Sequence, residues 1–411
     1  MALKLGQNLI LLISMFIFTL GFGVIVPVIP YFVRDLGASA LDMGLLMATM
    51  SAMQLICAPV WGRISDRIGR KPVILLGLIG FAVSFIMVGL STEMWMLYVS
   101  QIIGGGLSAG IWPACLAYIA DTSTPGERGK YMGLMGAASG AGMIFGPAIS
   151  SFITAWGLTA PFFASAGLGF VTAIFSLLFL KESRVPGNET RVKQKMSFEI
   201  VMKSHLMLFF MLMLFTSFAI ACLDATFTYF IMDKFGLTEG PSVMPFLTGN
   251  ITMSGPGVSG LIFTCMGIVL VICQGLMAGK AIEKLGEERT MLRGLAILAL
   301  GLLLIIVAPE LITLIVFVCF VGAGASILMP CLNTLVSKRT DPENQGVMMG
   351  LLGSFNSMGR VIGPLAGGAA YTIAMSLPYV GSAIASVIGI VAIYLSRRGS
   401  AVESPVESAR T

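Results

Sequence analysis

Two charged side chains lie inside long apolar stretches of the chain and are the first candidates for chemistry. Asp224 stands in the stretch ACLDATFTYF, and Arg360 stands in SMGRVIGP. In a bilayer such a charge costs at least about 2.5–3.5 kcal/mol on insertion scales, so an intramembrane charge marks an ion or substrate pathway by default. A carboxyl group in that place can take up and release a proton, whereas an arginine keeps its charge.

Asp224 is the acidic residue predicted at a depth similar to that of Arg360, so we expect the two to pair. A structural role stays open for each: a hydrogen-bonded or headgroup-facing Asp224, and an Arg360 bonded to backbone carbonyls. Gln101 and Asn333 are uncharged candidates. Either amide can bind a substrate or simply form a hydrogen bond between two helices.

A third candidate is the segment GRISDRIGRKPVIL, residues 62–75, which concentrates charge in a chain where only 11% of residues are charged. Gly62 and Gly69 permit the close approach of another backbone, and Asp66 is placed to interact with a helix N-terminus. Basic residues here help to set membrane topology, but that role alone requires neither glycines nor an aspartate. The charged residues of the segment are Arg63, Asp66, Arg67, Arg70 and Lys71.

Other chemistry has little support in the sequence. The seven cysteines fall in apolar stretches without a CxxC pair, which favours packing over a metal site or a disulfide. The chain has one histidine and no Ser/His/Asp set, metal cluster or phosphate-cradling loop. We therefore expect no enzymatic activity, no cofactor and no metal.

The elements that must position these residues are membrane-spanning helices. Hydrophobic residues make up 56% of the 411 residues, above the roughly 45–50% of soluble domains. A helix needs about 20 apolar residues to cross a bilayer, and short polar loops separate a long series of such stretches. The predicted spans are residues 8–33, 41–61, 72–91, 94–120, 130–154, 160–181, 205–232, 257–279, 290–308, 310–337, 346–372 and 374–396.

The distribution of basic residues predicts the orientation. With both termini in the cytoplasm, all but three of the 25 basic residues fall on the cytoplasmic side. The exceptions are Arg34, Lys234 and Arg360. This asymmetry follows the positive-inside rule and explains the net positive charge without a nucleic-acid partner. We expect a multi-pass protein of the plasma (inner) membrane.

An internal repeat predicts the architecture. An offset of 217 residues aligns special positions of the two halves, such as Gly62 with Gly279, Gly69 with Gly286, and Gly146-Pro147 with Gly363-Pro364. The predicted units are a six-helix half at 1–181, a cytoplasmic linker at 182–204, a second half at 205–396 and a tail at 397–411. Parallel six-span repeats are typical of transporters that rock one half against the other.

The repeat also locates an insertion. YFVRDLG at 31–37 resembles YFIMDKFG at 229–236 at a smaller offset, so the loop between the seventh and eighth spans is longer than its counterpart. We expect this extra stretch, around TEGPSVMPFLTGNITMSGPG, to be extracellular.

Two motifs carry a family resemblance. The 62–75 segment resembles the G-x-x-x-D-R-x-G-R-[KR] loop between helices two and three of the major facilitator superfamily. GLMGAASGAGMIFGPAISS is similar to the helix-five G-x8-G-x3-G-P pattern of its drug/proton antiporter branch. The stretches LGFGVIVPVIP and PFFASAGL are similar to tetracycline-efflux and bacterial multidrug-efflux proteins, and the resemblance covers residues 10–396.

The resemblance implies a fold and a function. The fold is an all-α integral membrane protein with twelve transmembrane helices in two six-helix repeats. The implied function is alternating access that exports lipophilic or cationic drugs against an inward flow of protons. The expected partners are a small-molecule substrate, protons and the lipid bilayer, and we expect a monomer. The resemblance assigns a gate to Gly62, Asp66, Arg67, Gly69 and Arg70, with Asp66 latching against helix eleven near Gln345 and Gly346.

The helix-five motif comprises Gly133, Gly142, Gly146 and Pro147. Its glycines allow a neighbouring helix to come close, and its proline removes a backbone donor and favours a bend. Ser150 and Ser151 stand where the family pattern has its last two glycines, which is a departure from the antiporter branch.

Two further departures leave more than one function open. Gln101 stands where proton-coupled exporters of the family usually carry an arginine, and Phe18 stands where tetracycline exporters carry an aspartate. Coupling then rests on the C-terminal half, where Asp224 matches an acidic residue of similar antiporters, or the protein is a facilitator. The chain is also compatible with a symporter of a small metabolite, such as a sugar, organic acid or siderophore, and with a non-transporting membrane receptor.

Overall fold

A computed structural model gives the fold and describes residues 2–183, 206–246, 249–341 and 344–407. These residues form twelve long helices, α1–α12, which confirms the predicted fold class. Most helices are continuous: α2 (Ala40–Ile68), α3 (Arg70–Gly89), α5 (Pro125–Ile153), α6 (Ala160–Phe179), α7 (Met207–Phe235), α9 (Glu287–Val307), α10 (Leu311–Lys338), α11 (Gln345–Ile373) and α12 (Leu377–Glu407). The interrupted helices are α1 (Ala2–Ile25 and Ile29–Asp35), α4 (Met94–Ser108 and Ile111–Thr122) and α8 (Gly255–Ile272 and Gly279–Leu285, joined by a π-helical turn at Cys273–Ala278).

Eleven of the helices in the described part of the chain are long and apolar enough to cross a membrane. The exception is α11, the predicted eleventh span. Its middle carries Ser354, Asn356, Ser357 and Arg360 among glycines, and these residues lower its hydropathy. Polar residues inside a span are expensive and usually face protein or a water-filled cavity rather than lipid.

The charged segment is helical and not a loop, which corrects the expectation from the sequence. The predicted second span ends at residue 61, whereas α2 continues to Ile68 and α3 begins at Arg70. Gly69 is the single connecting residue, with a φ of 107° that is costly for residues with a side chain. At the aligned position of the second repeat, Gly286 joins α8 to α9 with a φ of 78°.

The break in α4 has a local cause. The Trp61 indole N–H of α2 donates a hydrogen bond of 2.7 Å to the carbonyl of Gly106. A side chain inserted into the backbone ladder is a common origin of a helix kink. Gly110 completes the site, because a Cβ there would lie 2.7 Å from Val73 and 3.0 Å from Trp61.

The predicted extracellular insertion contains a β-hairpin. Strand β1 (Pro241–Phe246) pairs antiparallel with β2 (Gly249–Ser254), and the register places Pro241 opposite Ser254. The hairpin leads directly into α8, where the Gly255 N–H donates to the carbonyl of Thr238 at 2.9 Å. A short hairpin therefore forms most of the connection between α7 and α8.

Glycines bring α5 against α1. A Cβ on Gly142 would lie 2.6 Å from the backbone nitrogen of Leu20 and 2.7 Å from the carbonyl oxygen of Phe16. A Cβ on Gly146 would lie 2.5 Å from the carbonyl carbon of Gly23. The two backbones are therefore in contact. Beside this crossing, a buried apolar cluster of α1, α3, α4 and α5 forms the core: Leu11, Met15, Ile74, Tyr118 and Met135.

The second repeat uses the aligned glycines in the same way. A Cβ on Gly359 of α11 would lie 2.5 Å from the carbonyl oxygen of Leu214 in α7, and one on Gly363 would lie 2.6 Å from that of Phe218. Small residues that allow helices to approach are a principal means of association in membranes, where burial of apolar surface gives no drive.

The chain divides into two compact units whose bounds differ from those of the repeat. One unit takes in Met1–Val192 and Ala225–Gly267, and the other takes in Lys193–Asp224 and Ile268–Thr411. The first unit therefore contains α1–α6 and also the hairpin with the adjoining parts of α7 and α8. Apart from residues 182 and 183, the predicted linker 182–204 lies outside the described residues, and the predicted tail continues α12 as far as Glu407.

The α1–α5 crossing gives the first testable prediction. In Gly142→Val the new side chain overlaps the α1 backbone, which cannot move aside as a flexible side chain would, so the protein should be destabilised by at least about 1–3 kcal/mol. Thermal unfolding of the purified protein in detergent measures the loss. Gly136→Val is the matched control, because a Cβ at position 136 of the same helix meets no atom within 4 Å. Equal unfolding temperatures for the two variants would contradict the contact.

Candidate functional site

Arg70 is the centre of a buried charge network at the junction of α2 and α3. Its Nη1 donates to Asp66 Oδ1 at 2.6 Å and to Ser65 Oγ at 3.2 Å, and its Nε donates to Asp121 Oδ2 at 3.0 Å. Arg70 is only 7% exposed. A buried guanidinium requires such partners, because an unpaired buried charge is strongly destabilising. One side chain therefore joins the ends of α2, α3 and α4.

The other predicted gate residues differ in their surroundings. Gly69 connects the two helices. Arg67 is exposed on the last turn of α2. Gly62 is half-buried, and a Cβ there would meet no atom within 4 Å. The space beside Gly62 is therefore open in this structure.

The second repeat contains an ion pair at the positions aligned with Arg70 and Asp121, with the acidic and basic residues exchanged. The offset of 217 aligns Arg70 with Glu287 and Asp121 with Lys338, and Lys338 Nζ forms an ion pair with Glu287 Oε1. A second ion pair joins Arg339 to Glu288, one residue further along the chain on each side. The repeat therefore keeps an ion pair between its third and fourth helices and reverses its polarity. The sequence reading missed this pair because it compared residue types and not pairs of positions.

The two intramembrane charges lie on α7 and α11, within electrostatic reach of each other. Asp224 is half-buried and Arg360 is exposed, and Arg360 is the charged group that acts electrostatically on the Asp224 carboxyl. Among the ion pairs within 4.0 Å that the described residues form, none joins them directly. Arg360 follows Gly359, so its backbone position is set by the close crossing with α7.

Neighbouring contacts extend the α7–α11 face. Ser217 Oγ donates to Asn356 Oδ1 at 2.5 Å, and the rings of Phe210 and Phe355 stack with centroids 5.5 Å apart. The two helices thus share a stacked aromatic pair, a polar contact and a charge interaction along their length. Sequence reasoning named only the charged residues of this face. The low hydropathy of the α11 sequence was the signal that could have indicated the polar residues of this face.

The remaining predicted residues lie elsewhere. Gln101 is buried on α4, and Asn333 is half-buried on α10. In the helix-five motif, Gly142 and Gly146 contact α1, whereas a Cβ on Gly133 would meet no atom within 4 Å. Pro147 lies within the continuous helix α5. In the described part of the chain, no group of three or more His, Cys, Asp or Glu residues is placed to hold a metal ion.

A contact layer links α1, α5, α7 and α8 at the end that carries the hairpin, all within the first unit. The hydroxyls of Tyr31 and Ser259 lie 3.3 Å apart, and Arg34 Nη2 pairs with Asp233 Oδ1 at 2.8 Å. Ser151 Oγ donates to the carbonyl of Gly257 at 3.2 Å. The serine that replaces a glycine of the family pattern thus binds α5 to α8. Sequence reasoning did not find this layer.

The same end contains a cavity of about 440 Å³. Its polar lining includes Tyr31, Arg34, Asp35 and Glu239. Partial burial and the adjacent Asp35 carboxyl raise the pKa of Glu239, whose side chain is within hydrogen-bonding reach of Asp35. Two carboxyl groups share a hydrogen bond only while one of them holds a proton.

Comparison with known proteins places this geometry in context. The model of the Major Facilitator Superfamily matches residues 11–255 and 241–410. Multidrug resistance protein 2 of Bacillus subtilis (strain 168) is 31% identical over 389 residues, which are 93% of this chain and 93% of that protein. Tetracycline resistance protein, class C, of Escherichia coli is 30% identical over 371 residues, 87% of each chain.

A solved structure supports the fold. The nucleoside transporter NupG superposes with a TM-score of 0.75 at 14% identity, covering 96% of this chain and 99% of that chain. At this identity the likeness concerns the fold alone.

The Asp35–Glu239 contact gives a prediction on pH. Partial burial and the contact with Asp35 raise the pKa of Glu239 in the folded protein. The stabilisation from the Asp35–Glu239 contact is therefore complete below the ordinary glutamate pKa of about 4.3. It is lost as the pH rises through the raised pKa of Glu239. Hydrogen exchange of the 236–240 amides, corrected for intrinsic rates, should therefore accelerate with rising pH.

In Glu239→Gln this pH dependence should disappear, because an amide can donate to Asp35 at any pH. Glu93→Gln is the control, since the exposed Glu93 carboxylate accepts a hydrogen bond from Trp95 instead. An exchange profile of the unaltered protein that does not change with pH would contradict the shared proton.

Proposed function

Because the chain belongs to the Major Facilitator Superfamily, we propose that it exports lipophilic or cationic drugs by alternating access, driven by an inward flow of protons. It is a multi-pass integral membrane protein with small-molecule substrates. The similarity to multidrug and tetracycline resistance proteins over almost the whole chain supports the substrate class. The sequence and these relatives give no support for an enzymatic reaction or a cofactor.

The interaction between Asp224 and Arg360 is the observation that carries the coupling mechanism. Asp224 is an acidic side chain inside a span, and Arg360 is a permanent cation that acts on it. A proton that neutralises Asp224 removes its attraction to Arg360, and a cationic substrate competes for the same carboxylate. Protonation and substrate binding are then mutually exclusive at Asp224, as proton-driven export requires.

Asp224 lies within the continuous helix α7, which belongs as a whole to the second repeat half. In this proposal the repeat halves, residues 1–181 and 205–396, are the bodies that rock, and residues 182–204 connect them.

Gln101 and Asn333 supply neutral polar groups for the substrate pathway in the two halves. Their amides offer donors and acceptors without a fixed charge. The 28 methionines of the chain suit a pathway for varied apolar compounds, because methionine repacks readily.

The network around Arg70 is proposed to be the cytoplasmic gate, with Gly62, Asp66, Arg67, Gly69 and Arg70 as its residues. In this structure Asp66 is bound to Arg70. Asp66 is proposed to exchange part of this bond for the N-terminus of α11, near Gln345 and Gly346, when the cytoplasmic side closes. The basic residues around this end support an inner-membrane orientation with both termini in the cytoplasm.

A facilitator is the second candidate function. In the first half, Phe18 packs edge-to-face on Phe81 with ring centroids 4.9 Å apart, and Gln101 is a buried amide. The two positions that carry charge in related antiporters are thus neutral here. A facilitator of small molecules would need no proton-handling residue in either half.

Reconstitution in liposomes tests the function. With an imposed pH gradient, the unaltered protein should transport the fluorescent cation ethidium against its gradient, and Asp224→Asn should abolish this dependence because an amide holds no exchangeable proton. Glu310→Gln, which alters an exposed carboxylate at the start of α10, is the control and should transport normally.

Transport by the unaltered protein without any gradient dependence would reject the antiporter and favour the facilitator. The same assay also tests the interaction between Asp224 and Arg360. If Asp224 and Arg360 act on each other, exchanging the two residues should restore transport or expression lost in the single variants.

The gate gives a separate prediction. Asp66→Asn keeps the size of the side chain and removes its charge, so the protein should insert normally but transport ethidium several-fold more slowly. Transport at the unaltered rate would leave residues 62–75 with a role in topology alone.

A further inference from the structure

Glu182, the third residue after α6, binds the first turn of α3. Its Oε1 accepts a hydrogen bond of 2.9 Å from the backbone N–H of Arg70, and its Oε2 accepts one of 3.1 Å from that of Lys71. The first N–H groups of a helix have no partner within the helix. A carboxylate satisfies them and complements the positive end of the helix dipole. The N-cap position itself is Gly69, which has no side chain to do this.

The cap is reciprocal. Lys71 Nζ, from the start of α3, donates a hydrogen bond of 2.7 Å to the carbonyl of Leu177 in the last turn of α6. Cationic side chains stabilise the carbonyl end of a helix by the same electrostatics. Lys71 therefore complements the end of α6, Glu182 complements the start of α3, and the two helix ends are held together.

The same carboxylate gives Gly69 a second reason to be glycine. A Cβ at position 69 would lie 2.6 Å from the carboxyl carbon of Glu182 and closer still to one of its oxygens. The positive φ of Gly69 already disfavours other residues. The second glycine of the charged segment thus provides both the turn and the space for the cap.

Glu182 is also connected to Asp121 of the Arg70 network, through Ser183. The backbone N–H of Ser183 donates to Glu182 Oε1 at 3.0 Å, and the Ser183 hydroxyl donates to Asp121 Oδ2 at 3.3 Å. Asp121 is one of the two carboxylates that bind the Arg70 guanidinium. Residues 182 and 183 therefore hold both the backbone of Arg70 and a partner of its side chain.

We propose that Glu182 is a positioning residue of the cytoplasmic gate, which fixes the backbone of Arg70 so that its guanidinium bridges Asp66 and Asp121. This inference rests on the gate role proposed above. The physical reason is geometric. The Arg70 guanidinium can donate charge-assisted hydrogen bonds to two carboxylates only from a narrow range of positions. Gly69, the N-cap residue of α3, has no side chain that could fix the backbone of Arg70.

Glu182→Gln is the informative variant. It retains the size of the side chain and one acceptor, but it removes the charge and turns an amide donor toward a backbone N–H. Initial rates of ethidium transport in the liposome assay should fall about fivefold, with little change in the amount of inserted protein. Glu127→Gln is the matched control, because Glu127 lies in the first turn of α5 and accepts a hydrogen bond from Thr124.

The decisive measurement is the double variant with Asp66→Asn. If Glu182 acts through the Arg70 network, adding Glu182→Gln to Asp66→Asn should slow transport no further, because residues of one network are not additive. Multiplied effects, or transport by Glu182→Gln at the unaltered rate while Asp66→Asn is slow, would overturn the inference and leave the gate proposal standing.

A normal rate in Asp66→Asn would instead reject the gate, and the inference with it. Should Glu182→Gln not accumulate in the membrane, Glu182→Asp carries the same test, since it keeps the charge but shortens its reach to the α3 amides. Hydrogen exchange at the Arg70 and Lys71 amides should rise in either variant and remain unchanged in Glu127→Gln.

Discussion

Contact between helix backbones at glycines is the constraint on which the rest of the structure depends. Lipid is as apolar as the side chains, so helices associate in a membrane through close packing and polar contacts. Gly142 and Gly146 place α5 on α1, and the aligned Gly359 and Gly363 place α11 on α7. The second crossing also sets the position of the chemistry, because Arg360 follows Gly359 directly in the chain. Close packing thereby brings a permanent cation near Asp224 without a direct ion pair.

The repeat preserves interactions more faithfully than residue types. Arg70 with Asp121 and Glu287 with Lys338 occupy aligned positions, and each pair joins the third helix of its half to the fourth. The environments differ. Arg70 is buried and has two carboxylate partners, whereas the Lys338 side chain is 66% exposed, and exposed ion pairs contribute only about 0–1 kcal/mol. The first half therefore carries the stronger network, which agrees with the gate proposed there.

Much of the fold could be predicted from the sequence. Twelve helices, their approximate bounds and the position of the insertion follow from hydropathy and the offset of the repeat, because the bilayer imposes length and composition on every span. The end of α2 was predicted too early, at residue 61 instead of Ile68. Charged residues suggested a loop there, but a helix that leaves the membrane can continue through polar residues, and only the φ of Gly69 ends it. The hairpin and the layer formed by Tyr31, Ser259, Arg34 and Asp233 were not predicted, because they join segments far apart in the chain.

The sequence by itself determined the series of apolar helices, the repeat, the family and the identity of the charged residues. These properties depend on local composition and spacing, which the chain carries without folding. Only the tertiary structure decided which of those residues meet. It joined Arg70 to Asp121, gave the start of α3 its cap from Glu182, and placed Arg360 close enough to act on Asp224. Such contacts arise from the rotation and depth of one helix against another. Those are set by side-chain packing over many turns and leave no periodic signal in the sequence.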